Sequence, residues 1–203
     1  HYYGWKSNGL KEERKMNGEI VVYTGPMFAS KSGRLINMYE KCKYAKRNVL
    51  AFKPKMDHRF GDDVIVARKI ETTIPAINIT NISELLQYDA EVYIIDEFEF
   101  LEGDVSVIQD MANEGKIFHI AGLDMTAEGK PFGLMPDILA IADQVIKEVA
   151  SCVDCGSFKA THSFYLGKKS QDIVIGNNEY IALCRTCWAK RMALKKEGIV
   201  SRS

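Results

Sequence analysis

The sequence predicts an α/β fold, a mostly parallel sheet with helices on both faces followed by a small metal-pinned lobe. Three observations point there. Short runs rich in Val, Ile and Tyr alternate with amphipathic segments, and one such run ends in a glycine turn that opens a helix. Four of the five cysteines fall in two C-x-x-C pairs near the end of the chain. Strands that alternate with helices need crossover connections, which makes the sheet parallel and covers both of its faces. With 203 residues, 46% of them hydrophobic, the chain suits one moderate domain with an appendage and can bury a real core.

The elements follow in order. "EIVVYTG" (Glu19 to Gly25) is a buried strand rich in β-branched residues that ends in glycine. "SGRLINMYEKCKYAKR" sets Leu35, Ile36, Met38, Tyr39 and Cys42 at helical spacing, with basic residues toward its end. Cys42 reads as an ordinary helix residue. "NVLAFKP" is a second strand and "IPAINIT" a candidate third, followed by "NISELLQY", a short helix capped by Asn81 or Ser83. "AEVYIIDE" (Ala90 to Glu97) is a strand that ends in two acids. "DVSVIQDMANEG" is a helix, "KIFHIAGL" a strand with His119 in the core, and "MPDILAIADQVIKEV" a helix or helix–strand pair.

Domain limits follow from changes in character. Residues 1–17 read as an N-terminal extension, either an added segment or a native arm. Residues 18–150 form the α/β domain. Cysteine pairs and short polar runs mark a metal-binding lobe over 151–188, and 189–203 is a basic tail expected to fray. Basic and acidic residues balance at 27 each, against a general electrostatic grip on nucleic acid. No apolar run approaches the ~20 residues of a membrane helix, and no signal-peptide pattern is present, so a cytoplasmic location without a membrane partner is expected.

The chemistry gathers in two places. "TGPMFASKS" follows the first strand and opens a helix, the setting of a G-x-x-x-x-G-K-[ST] phosphate loop. The backbone of Gly25, Pro26, Met27, Phe28, Ala29 and Ser30 would curl around phosphate oxygens. Lys31 would reach the β and γ phosphates, and the Ser32 hydroxyl would ligate magnesium. Asp96 ends a later apolar strand, where it can hold the magnesium from the opposite side. A strand-terminal acid can also be a simple turn residue, but loop and acid in this order point to a nucleoside triphosphate in a P-loop NTPase-like sheet. Ser30 stands where the loop pattern has glycine. A non-glycine residue at positive φ costs on the order of 1 kcal/mol, which weakens a phosphate site rather than abolishing it.

Cys152, Cys155, Cys184 and Cys187 read as four thiolates around a structural zinc. Two local disulfides are the alternative. The lack of a secretion signal and the odd fifth thiol favour zinc.

These motifs resemble the type II, zinc-containing thymidine kinases. The likeness runs from Gly18 to Trp188 through "TGPMFASKS", "FKPKMDHRF", "IIDEFEFL", "AGLDMTAEGKPFG", "CVDCG" and "IGNNEYIALCRTCW". The resemblance implies ATP as phosphoryl donor, magnesium, thymidine or a related deoxynucleoside as acceptor and a homotetramer. It also implies a lasso loop over about Phe158 to Leu183 that closes on the nucleoside. Carried over residue by residue, Glu97 matches the glutamate that takes the 5′-hydroxyl proton, and Arg59 a basic residue that steadies the moving phosphoryl group. Met27, Leu123, Phe132, Ile175, Gly176 and Tyr180 match the nucleoside pocket.

Several positions depart from that pattern. Besides Ser30, Glu99 stands in place of a glutamine, Ala127 in place of an aromatic residue, and Tyr165 in place of an arginine. An extra acid at Glu99 is expected to add repulsion unless a cation offsets it. The departures support a second reading, a nucleotide-binding homologue of weakened or no catalysis; retained Lys31, Ser32, Asp96 and Glu97 oppose it. A zinc-ribbon nucleic-acid binder, suggested by "CRTCWAKRMALKK", is disfavoured by the neutral net charge.

Overall fold

The computed structural model describes residues 17–55, 64–67, 72–167 and 179–198, with 64–67 and 72 described by their backbone. Six parallel strands form the main sheet in the order β5-β2-β6-β7-β1-β8. They are β1 (Glu19–Thr24), β2 (Val49–Pro54), β5 (Ile77–Ile79), β6 (Val92–Ile95), β7 (Ile117–Gly122) and β8 (Gln144–Lys147).

Side-chain alternation along the strands divides the core into two layers. Ile20, Val22, Tyr93, Ile95, Phe118 and Ile120 face α2 (Ser106–Asn113) and α3 (Met135–Ile141), meeting Ile108, Met111, Met135 and Ile138. Val21, Tyr23, Ile94 and Ala121 face α1 (Lys31–Tyr44) and meet Leu35, Ile36 and Cys42. Helices therefore cover both faces, as the alternating pattern predicts. His119 lies in this core, its Nδ1 3.2 Å from the Tyr23 hydroxyl, and burial pushes its pKa down to about 4.

Local chemistry sets the ends of the elements. α1 stops in a Schellman arrangement: Lys46 takes left-handed backbone (φ 56°) while the amides of Lys46 and Arg47 donate to the Lys43 and Cys42 carbonyls. Asn81, not Ser83, caps the segment Ile82–Gln87. Its side chain accepts the Ser83 amide at 2.9 Å, and Glu84 reaches back to the Asn81 amide at 2.8 Å. That segment is a 3₁₀ helix rather than an α-helix.

Three features depart from the sequence expectation. A hairpin of β3 (Val64–Ala67) and β4 (Thr72–Pro75) precedes β5, where no strand pair was expected. The lobe carries an antiparallel hairpin, β9 (His162–Tyr165) with β10 (Tyr180–Leu183). The third is α4 (Arg185–Lys196), which continues through the start of the tail expected to fray. It is held by tertiary contacts: Arg191 donates twice to Asp154 at 2.8 and 2.7 Å, and Lys195 donates to the Tyr165 carbonyl at 2.9 Å. Arg59, Ile175, Gly176 and residues 1–16 of the expected N-terminal extension lie outside the described residues. Among the described residues, no helix is long and apolar enough to cross a membrane.

Candidate active site

The register of the sheet brings the catalytic candidates to one edge. β1 and β6 flank β7, with Thr24 opposite Gly122 and Ile95 opposite Ile120, so the turns after all three strands open on the same carboxyl side. That edge is where open α/β sheets hold ligands. Gly25 makes the first turn (φ 131°), and a Cβ there would lie 2.3 Å from the Glu148 carbonyl oxygen, so only glycine fits.

The loop then takes a strained path. Phe28 (φ 66°) and Ser30 (φ 62°) are both left-handed, and Ser30 makes no side-chain cap bond to α1. Ser30 thus adopts the conformation for which the motif uses glycine, as the sequence implied. Lys31 Nζ donates to the Pro26 carbonyl at 2.6 Å, which lays the ammonium across the mouth of the loop.

Opposite it stands Asp96, buried beyond the end of β6. Burial pushes its pKa up, while the Ser32 hydroxyl, the Glu97 amide and the charges of Lys31 and Lys53 draw it back down. The Glu97 amide donates to Asp96 Oδ1 at 2.9 Å. Ser32 and Asp96 therefore meet as an oxygen pair suited to a hard divalent cation. Glu97 follows in left-handed backbone (φ 52°), half-buried, which turns its side chain out of the strand direction.

Glu99 faces the Glu97 charge, the repulsion expected of it, and Lys31 offsets part of it. Glu99 is 5% exposed, and its Oε2 accepts the Leu123 amide at 3.0 Å. Burial, with Glu97 nearby, raises its pKa to about 8, so at neutral pH the carboxyl is largely protonated and occupies the place of a glutamine amide without its charge. The sequence marks the residue but not its burial; the signal is the apolar Phe98, Phe100 and Leu101 around it.

The acceptor-pocket candidates split into two groups. Leu123 lies beside Glu99, and Phe132 packs edge-on against Phe100 with centroids 5.2 Å apart. Tyr180, in β10, packs against Tyr165 at 5.1 Å. Met27 joins loop to lobe, its amide donating to Ser163 Oγ at 3.0 Å. Lys195 Nζ lies 5.2 Å from the Tyr165 ring centroid, bringing a cation beside the position where the resembled family has arginine.

In the lobe, the ligand atoms of Cys152, Cys155, Cys184 and Cys187 lie within 4.8 Å of one another, and Cys155 and Cys184 sulfurs are 3.8 Å apart. Tetrahedral zinc with ~2.3 Å bonds needs sulfurs about 3.8 Å apart, so the set fits. The thiols are also electrostatically unequal. Burial opposes ionisation of Cys152, but amides of Cys184, Cys155 and Asp154 bring its pKa to about 6. Cys187 is pushed up to about 12, first by its hydrogen bond with Cys184 and then by burial. Four thiolates at this spacing require a cation.

The comparisons with known proteins agree with this geometry. The family model described as thymidine kinase matches residues 18–188. The chain is 40% identical over 177 residues to a thymidine kinase of Porphyromonas gingivalis, covering 85% of this chain and 86% of that one. It is 36% identical over 183 residues to a thymidine kinase of Bacteroides thetaiotaomicron, covering 88% and 91%. Against a thymidine kinase of Bacteroides fragilis it is 34% identical over 190 residues, 92% and 94% of the two chains. With the phosphate loop, the acid pair and the cysteine cluster in one continuous match, the chain belongs to the thymidine kinase family.

Proposed function

We propose that the protein transfers the γ-phosphoryl group of ATP to the 5′-hydroxyl of thymidine. The observation that carries this reading is the meeting of Ser32, Asp96 and the Lys31 ammonium at one edge of the sheet, with Glu97 next in the chain. Backbone amides of the loop and Lys31 bind the phosphates. Lys31 leaves the Pro26 carbonyl for the β and γ oxygens, exchanging one acceptor for a charged one. Magnesium, held between Ser32 and Asp96, would neutralise charge on the phosphate oxygens.

Glu97 accepts the proton of the 5′-hydroxyl as the oxygen–phosphorus bond forms and the bond to the departing ADP breaks. Arg59 steadies the charge on the transferring group. Met27, Leu123, Phe132, Ile175, Gly176 and Tyr180 line the nucleoside pocket, and zinc at the four cysteines is structural. Family membership also supports a homotetramer, which a mass measurement in solution checks directly. Glu97→Gln keeps the shape but removes the base, and should lower kcat on the order of 10²- to 10⁴-fold with nucleotide binding retained. Equal turnover in the variant would remove Glu97 from the mechanism.

A further inference from the structure

The phosphate loop does not hold its own shape. Phe28 and Ser30 are both left-handed non-glycine residues, a strained conformation that persists only when surroundings enforce it. Neither is braced by its own side chain: Phe28 is 45% exposed, and Ser30 makes no cap bond. Ala29 between them is buried, and the cluster it joins belongs to the lobe, with Ala150, Cys152, Phe164 and Leu183. Two residues earlier, the Met27 amide donates to Ser163 Oγ at 3.0 Å. Ser163 is itself buried in β9, where it pairs with Ala182 of β10.

The lobe is in turn fixed to the sheet domain at a second point. Trp188 Nε1 donates to the Ala127 carbonyl at 3.0 Å, and its ring packs on His162 with centroids 4.7 Å apart. Gly129 (φ 76°) lets the ring approach, since a Cβ there would sit 2.9 Å from it.

We propose that the cysteine lobe positions the phosphate loop for the donor nucleotide, with Ser163 as the positioning residue and the Ala29 methyl as the second joint. Ser163 acts on the loop through the Met27 amide. It withdraws that amide from the cradle and fixes the start of the Phe28–Ser30 turn, while Ala29 fixes its middle. Donor affinity therefore depends on residues far along the chain from the loop, and on the loading of the cysteines whose cluster encloses Ala29.

The proposal rests on the loop being the donor site. Its test uses the full chain loaded with zinc and a non-hydrolysable ATP analogue with magnesium. Ser163→Ala should weaken analogue binding about 3- to 10-fold, the effect of losing one buried hydrogen bond. The KM for ATP should rise by the same factor, with kcat at saturating ATP within twofold. Amide hydrogen exchange at Met27 and Ala29 should quicken while β6 stays protected, and Ser163→Thr should restore both readouts. Analogue affinity unchanged in Ser163→Ala, or a loss confined to thymidine, overturns the proposal. Should Ser163→Ala fail to fold, stepwise removal of zinc from the native chain supplies the second arm. Analogue affinity and Met27 protection should then fall together with zinc content. Stripped protein that keeps both overturns it as well. Native protein that never binds the analogue counts instead against the donor-site reading, which the exchange measurement does not need.

Discussion

At the carboxyl edge of the sheet, the groups proposed for phosphoryl transfer are laid down by regular structure. Thr24 and Gly122 end parallel strands and Asp96 directly follows Ile95 of a third, all with side chains buried on both faces, so their positions follow from strand register. The lobe has no such frame. Its buried cluster is small, α4 buries no residue fully, and a two-stranded hairpin is marginal by itself. Four cysteines stand in for the missing core. The sheet therefore supplies precision through packing and the lobe through coordination, and the two regions should fail under different insults.

The largest effect should come from the lobe's coordination. A structural zinc site contributes on the order of 10 kcal/mol to folding, so Cys184→Ser should release the metal and unfold the lobe while the sheet keeps its far-ultraviolet circular dichroism. A single cooperative loss of both regions would erase the contrast. Next in size is Lys31→Ala, which should lower kcat/KM on the order of 10²- to 10³-fold by removing a fixed charge from the transferring group, with zinc content and melting temperature nearly unchanged.

Glu99 sharpens the account of the sheet edge through pH. Its folded pKa of about 8 lies above the ordinary 4.5, so the folded state keeps a proton that the unfolded chain gives up. The stability this provides is complete below 4.5 and is lost as pH rises through about 8. In urea unfolding without magnesium, the wild type should lose stability relative to Glu99→Gln by up to ~1.4 kcal/mol per pH unit across that window. Parallel pH curves for the two proteins would mean that Glu99 is already charged.

The smallest effect belongs to the loop. Ser30 is already left-handed without nucleotide, so Ser30→Gly should relieve about 1 kcal/mol in the free and bound chain alike and leave ATP affinity within about twofold. Weaker binding in that variant would show that the serine side chain itself contributes to the cradle.

How much of this was legible beforehand differs between the same two regions. The parallel sheet could be read because its strands are continuous apolar runs, and the phosphate loop, Asp96 and Glu97 sit at run ends that sequence marks directly. The cysteine pairs were equally plain. The hairpin Tyr180–Leu183 with His162–Tyr165 was not, because two four-residue strands alternate too briefly to show a period and their partners are distant in sequence. Ser163 carries no motif; its role exists only because β9 passes beside Met27. α4 runs past the expected boundary because Arg191 and Lys195 find Asp154 and the Tyr165 carbonyl, contacts invisible in a basic run.

Phosphorylation of thymidine by the loop and acid pair at the sheet edge is directly measurable. Purified protein, incubated with magnesium, ATP and thymidine, should form thymidine 5′-monophosphate and ADP in equal amounts, and Glu97→Gln should bind ATP yet nearly abolish both products. ATP binding by the native chain with no thymidine monophosphate formed would contradict the proposed transfer.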